Sequence, residues 1–338
     1  MPEESMFQQL KARAKSQKIR VVLPESDLEI ILRAGEQLLQ EEIGVPLLIG
    51  NPEAIQKACE SYGIRYEGFL FFDHQNENSC AELARQYTSR FTELSEKSVL
   101  RKCKDPLNCG MLLVKIGRAD CIAAGRAYTT GEVIIAAQNI LGIEEGGSTV
   151  SSIGIVNAPG FQGSEGNLLA IGDCAIQAWP DENDLADIAI SSAKTVHSLL
   201  GWEPRVAMLS YSTCGSAEDD SIDIIKKAIE IAKDRIPSLK IDGEFQLDTA
   251  INPETAVRKV KRESEVAGKA NVLIFPNLHA GNIGVKLIQT FGGADAYGPI
   301  LQGFAYPVCD FSRSAPLSEI MGNLLMLIVR AQKGSNTL

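Results

Sequence analysis

Apolar positions along the chain fall into short buried runs separated by amphipathic stretches. Residues 20–25, RVVLPE, form a short β-branched run that reads as a strand, and Val45 opens a second, VPLLIG. Between them Ile30, Ile31, Ala34, Leu38 and Leu39 recur at helical spacing, with Asp27 placed to cap that helix. An amphipathic helix over about Glu4 to Lys15 precedes the first strand, and Asn51-Pro52-Glu53 starts another after the second. A strand near Gly68 to Phe72 and a helical region from Glu82 to Gly117 continue the alternation. Strands alternating with helices predict a mostly parallel sheet covered on both faces.

The same rhythm persists further on. Ala119 to Ala123 reads as a strand running into Gly125, then Thr129-Thr130-Gly131 and an apolar helix. Composition breaks abruptly at Glu144 to Ser148, which places a domain boundary there. Beyond it, residues 149–159 and 167–180 read as strands joined by a Gly-rich turn, followed by a helix over Leu185 to Leu200. A strand from Arg205 leads through the loop Ser210 to Ser216 into a helix over residues 220–235. Next come a strand ending at Asp248, a helix from Pro253, and a strand-loop-helix unit over residues 271–293. A strand at Pro307 to Cys309 and a helix over Pro316 to Arg330 return the chain to the first domain. The expected division is residues 1–146 plus about 300–338 as one α/β/α domain and 147–299 as another. The polar tail from Gly334 to Thr337 is expected to fray.

Composition narrows the function. The chain has 338 residues, 45% hydrophobic and 22% charged, enough for two well-filled cores. Its net charge of -10 and pI near 5.0 lack the basic balance of a nucleic-acid binder. An anionic ligand must therefore be met by local arginines, hydroxyls and helix N-termini. Eight cysteines form no CxxC pair, and no His stands at metal-ligand spacing from them, so they read as reduced thiols filling cores. No apolar run approaches the roughly 20 residues of a membrane span, and the amino end does not read as a signal peptide. A cytoplasmic protein is expected.

Four loops carry candidate chemistry. Ser312, Arg313 and Glu319 place a hydroxyl, a guanidinium and a carboxylate around one strand-to-helix junction, a set suited to a small phosphate ester or anhydride. The same stretch also suits a plain structural reading, with Asp310 a loop acceptor, Ser312 a helix cap, Arg313 a surface ion pair and Glu319 a solvated helix residue. Thr129 and Thr130 offer hydroxyls at a helix start, for a phosphate or simply for a cap. Ser212, Thr213, Gly215 and Ser216 occupy a comparable loop, with Asn282 at a fourth. His279 and both tryptophans, Trp179 and Trp202, read as structural, and no Cys-His arrangement supports a nucleophilic cysteine.

The ordered set PESD, AGRAYTTGEV, YSTCGSAE, GEFQLDTAI, FPNLHAGNIGVKL, GPILQG and DFSRS resembles the phosphate acetyltransferase family, which includes phosphate butyryltransferases. The resemblance runs from about Arg20 to Gln332. It implies two α/β/α domains with mostly parallel sheets, similar to isocitrate and isopropylmalate dehydrogenases, with the active site in the interdomain cleft. It also implies a homodimer and the reversible reaction of acyl-CoA with inorganic phosphate to give acyl phosphate and coenzyme A. Coenzyme A enters as substrate, and no metal or permanently bound cofactor is implied, nor any nucleic-acid or membrane partner.

Carried over by motif, Ser312 hydrogen-bonds the reacting carbonyl oxygen, Arg313 holds the phosphate, and Glu319 stands where the family has an Asp that takes the thiol proton. Arg90 fits an arginine that helps bind the anionic substrate, and Tyr297, just before GPILQG, is a further substrate-binding candidate. A further family arginine is replaced by Ile135, with Arg126 placed nearby to supply the charge. Ser314 stands where acetyltransferases often have Gly. These departures leave propionyl and butyryl groups, and a weakly active acyl-phosphate- or CoA-binding protein, as alternatives. An oxidoreductase of the related fold is disfavoured, because no GxGxxG follows a strand.

Overall fold

A computed structural model describes residues 3–332. The expectation for the Gly334 to Thr337 tail lies outside the described residues. The chain opens with α1 (Glu3–Ala14), β1 (Arg20–Leu23), α2 (Glu29–Gln40), β2 (Val45–Ile49), α3 (Pro52–Tyr62), β3 (Leu70–Phe72) and α4 (Glu77–Thr88). It continues through α5 (Glu96–Cys103), α6 (Pro106–Lys115), β4 (Cys121–Ala124), α7 (Thr130–Ile140), β5 (Ser151–Asn157), β6 (Leu168–Gly172) and α8 (Glu182–Leu200). After these come β7 (Arg205–Leu209), α9 (Asp220–Arg235), β8 (Lys240–Phe245), α10 (Leu247–Ile251), α11 (Pro253–Lys259) and β9 (Val272–Ile274). The last elements are α12 (Leu278–Gly292), β10 (Asp295–Gln302), β11 (Val308–Asp310) and α13 (Leu317–Ala331).

Two compact units account for the described residues: 9–144 with 304–332, and 3–8 with 145–303. In the first unit the strand order is β3-β2-β1-β4-β11, and every neighbouring pair is parallel. Val21, Val22, Leu23, Ile122 and Ala123 are buried, because helices cover both faces of a parallel sheet. Helix α6 comes close enough that a Cβ on Gly110 would meet Val22 at 2.7 Å. The strand order turns back at β1 and β4. Crevices outside the carboxyl ends of such strands are where ligands bind in open α/β sheets.

In the second unit the order is β10-β5-β6-β9-β7-β8. The β10/β5 and β5/β6 pairs are antiparallel and the remaining pairs parallel. Helix α8 buries Leu185, Ile188, Val196 and Leu199, and Val156, Ile171, Leu209, Phe245 and Leu273 share one core cluster.

Four sequence expectations give way to the structure. Asp27 does not cap α2: residues 25–28 form a turn in which the Leu28 amide donates to Glu25 O, and Leu28 takes the cap position without a side-chain bond. The region from Glu82 to Gly117 is three helices, α4, α5 and α6, because Ser95 and Asp105 start new ones by accepting from the amides of Ser98 and Asn108. The strand expected to reach Asp248 ends at Phe245, where the Gln246 amide donates to Thr213 Oγ1 and α10 begins. Trp179 is not a packing residue within the unit. It is 77% exposed and its ring lies 5.2 Å from that of His279, whereas Trp202 is buried.

Candidate active site

Every loop singled out in the sequence leaves the carboxyl end of a strand or opens the following helix. In the first unit the loop after β4, Gly125 to Thr129, is held from below by Glu25, which follows β1. One oxygen of this buried carboxylate, Oε1, accepts from the amides of Gly125 at 3.2 Å, Ala127 at 2.5 Å and Tyr128 at 3.2 Å. Three converging amides are what a desolvated carboxylate needs. Tyr128 is tied further by its hydroxyl, which donates to Asp105 at the start of α6.

The two threonines have different tasks. Thr129 is the cap of α7: its Oγ1 accepts from the Glu132 amide while Glu132 Oε2 accepts from the Thr129 amide and hydroxyl. Thr130, one residue on, instead donates from Oγ1 to Asp310 Oδ2 at 2.6 Å, linking α7 to the end of β11. Asp310 is 4% exposed. Burial pushes its carboxyl up to about 6; the Thr130 hydrogen bond opposes that rise and the charge of Glu25 adds to it.

Arg126 lies across the junction that β11 feeds. Its Nη1 donates to the carbonyls of both Ser312 and Arg313, so the guanidinium fixes the backbone that presents those side chains. Ser312 and Arg313 are themselves exposed, with Ser312 Oγ 3.2 Å from Ser314 Oγ. Glu319, in the first turn of α13, is partly buried. Burial pushes its carboxyl up, and the positive charge of Arg126 pulls the other way. Arg313 adds positive charge near Glu132. The structure thus gathers Thr130, Arg126, Ser312, Arg313 and Glu319 at the carboxyl ends of β4 and β11. Beside them, a cavity of about 660 Å³ opens at the ends of β1 to β3, lined among others by Glu25, Ser26, Asn51, His74 and Tyr128.

Arg90 is engaged elsewhere in this unit. One of its nitrogens donates to Ile116 O at 2.7 Å, which caps the carboxyl end of α6. Ile135 is 59% exposed on α7.

The second unit uses the same construction. Ser212 Oγ donates to buried Glu244 at 2.9 Å, and the Gly215 amide donates to the same Glu244 oxygen at 2.7 Å. The Thr213 amide donates to Ser216 Oγ, while Thr213 Oγ1 receives the Gln246 amide. These groups shape the loop after β7, and the Ser212 side chain is fully buried. After β6, Asp173 gathers the amides of Ser152, Ala175, Ile176 and Gln177, the last at 2.6 Å. Asn282 Nδ2 donates to Cys174 O, and Tyr297 packs edge-on against Phe7 with centroids 4.9 Å apart.

Of these four carboxylates, Glu25, Asp173, Glu244 and Asp310, sequence reasoning noted only Asp310, as a loop acceptor, and missed the other three. Each stands at or just past the end of a buried strand, beside Pro24, Gly172, Gly243 and Cys309 respectively. An acid at that place was the available signal.

This chain belongs to the phosphate acetyl/butaryl transferase family, whose model matches residues 5–328, and it is an acyltransferase. Within the family its likeness is to phosphate acetyltransferases. It is 39% identical over 334 residues to the phosphate acetyltransferase of Thermoanaerobacterium thermosaccharolyticum, covering 97% of this chain and 100% of that one. Among solved structures, a phosphotransacetylase from Streptococcus pyogenes has a TM-score of 0.89 at 30% identity, covering 98% and 99% of the two chains. The EutD phosphotransacetylase from Staphylococcus aureus has 0.87 at 32%, covering 97% and 99%.

Proposed function

We propose that this protein transfers an acetyl group reversibly between coenzyme A and inorganic phosphate: acetyl-CoA plus phosphate gives acetyl phosphate plus coenzyme A. One observation carries the reading most. A guanidinium (Arg313), a hydroxyl (Ser312) and a carboxylate of raised proton affinity (Glu319) stand at one junction whose backbone Arg126 clamps.

In the direction of thioester formation, the coenzyme A sulfur bonds to the acyl carbon of acetyl phosphate and the carbon–oxygen bond to phosphate breaks. Glu319 takes the thiol proton, a role helped by a carboxyl raised towards neutrality. Ser312 donates to the carbonyl oxygen as it gains charge, and Arg313 holds the departing phosphate. The hydroxyl of Thr130 and the first turn of α7 add a further anion-binding surface. Within residues 145–303, Tyr297, Asn282 and the loop from Ser212 to Ser216 are assigned to that unit's own substrate-binding surface, the last as a buttress rather than a direct contact.

Coenzyme A, acyl phosphate and phosphate are then the partners, with no resident cofactor, in the cytoplasm. Among the described residues no helix is long and apolar enough to cross a membrane. A homodimer fits the side chains Ile283, Leu287 and Phe291, spaced four apart on α12 and 56%, 51% and 83% exposed.

The test follows thioester absorbance with phosphate and acetyl-, propionyl- or butyryl-CoA. The acetyl substrate is expected to give the highest kcat/KM. A faster butyryl reaction would move the protein within the family, and no phosphate-dependent loss of any thioester would sink the reading.

A further inference from the structure

Two buried carboxylates flank Gly125, and each has one oxygen with no hydrogen-bond partner: Glu25 Oε2 and Asp310 Oδ1. The fit is tight. Gly125 has φ +121°, and a Cβ there would fall 2.5 Å from Asp310 Oδ1 and from Phe311 O. The other oxygen of Asp310 meets the Thr130 hydroxyl at 2.6 Å. A hydroxyl has a single hydrogen, so the partner that accepts it deprives every other acceptor.

We propose that Asp310 is a positioning acid that sets the direction of the Thr130 hydroxyl, and through it the affinity of the α7 N-terminus for phosphate. When Asp310 is ionised, Thr130 donates to Oδ2 and turns only lone pairs outward, which repel a phosphate oxygen. When Asp310 carries a proton, it donates to Thr130 Oγ1 and frees the Thr130 hydrogen for the anion. No covalent bond changes; one proton moves on or off the carboxyl.

The surroundings permit this titration near neutrality. Glu25, from the end of β1, is negative and raises the proton affinity of Asp310 beyond what burial alone does. On α7 the Glu132 carboxylate is engaged by Thr129. Arg126, from the β4 loop, directs its Nη1 to the carbonyls of residues 312 and 313. From α13, Glu319 and Arg330 act on the neighbouring Cys309 thiol, which burial pushes up well above its usual range. Arg313, two positions past Phe311, is exposed.

The proposal rests on the reading of α7 and the Ser312 junction as a phosphate site, and its test does not need turnover. Inorganic phosphate Kd is measured by titration calorimetry from about pH 5.5 to pH 8 for wild type, Asp310→Asn and Thr130→Val. Dividing wild-type Kd by the Asp310→Asn value in the same buffer cancels the ionisation of phosphate itself. That ratio should climb with pH above about 6, by up to roughly tenfold, the worth of one hydrogen bond to an anion. Asn carries no titrating proton, so its own curve should follow phosphate alone whichever way its amide faces. Thr130→Val should flatten the wild-type climb and Thr130→Ser should restore it, a pair that serves even where Asp310→Asn fails to fold. A ratio constant with pH, or a climb that survives Thr130→Val, overturns the proposal. Loss of thioester turnover with this phosphate behaviour intact would instead count against the acyl-transfer reading alone.

Discussion

At the scale of single residues, the strand-end loops of each unit are built on buried acids. Glu25, Asp173, Glu244 and Asp310 lie under the loops and collect amides and hydroxyls, while exposed Ser312 and Arg313 face outward. A buried carboxylate with several donors is strongly held, and removing its partners leaves a desolvated charge. Arg313 has the opposite character: it is exposed, and its charge reaches Glu132. Arg313→Ala is therefore expected to fold with an unchanged melting temperature and to lose about a hundredfold in kcat or more, the usual cost of a donor to a developing oxyanion. Turnover within a factor of about three of wild type would take Arg313 out of the mechanism. Motif order made Ser312, Arg313 and Glu319 legible as candidates. Of the supporting acids only Asp310 was noted, as a loop acceptor, because a single Asp or Glu has no periodicity and its amide partners are far away in sequence.

At the scale of elements, the loop-to-helix junctions separate capping from binding. Both threonines before α7 looked alike in sequence, yet Thr129 is taken up by a capping box and Thr130 is turned to β11. Thr129→Ala should therefore lower stability by about 1 kcal/mol and leave the phosphate KM near the wild-type value, with Thr129→Ser restoring stability. A phosphate KM raised tenfold without a stability change would return Thr129 to the binding surface. The caps that divide residues 77–115 into α4, α5 and α6 were legible too, as Ser95 and the pair Asp105-Pro106. Apolar periodicity alone runs across such breaks, so the caps had to be weighed against it. The same stretch brings the Cys103 sulfur to 2.9 Å from Cys80 and 3.4 Å from Cys109, a cluster of reduced thiols that their spacing in sequence did not announce.

At the scale of the whole molecule, acid should act oppositely on the buried acids Asp310 and Asp242, one in each unit. In residues 9–144 and 304–332, burial holds Asp310 up to about 6 and also raises Glu319. The folded state keeps protons there that the unfolded chain has released, so this contribution is full at low pH and is lost as pH rises through about 6. In residues 145–303 the signs reverse. Burial pushes Asp187 up, but Ser148 and Arg235 outweigh it; Asp242 is likewise held down by Arg262, at 2.6 and 2.7 Å, and by Ser264. Those acids stabilise above the ordinary carboxylate range, and the contribution is lost as pH falls below it. Hydrogen exchange well below pH 3.8, the ordinary aspartate value, corrected for intrinsic rates, should thus reveal opening first around residues 181–187 and 235–264. Earlier loss of protection around β1, β4 and β11 would contradict the assignment.

The sequence by itself determined the alternation of strands and helices and the family, because these rest on local periodicity and on motifs contiguous in the chain. Tertiary structure decided which hydroxyls hold a loop and which face outward, and where the proton-sensitive carboxylates lie. Those properties depend on burial and on partners such as Thr130 and Asp310, 180 residues apart, which no local pattern encodes.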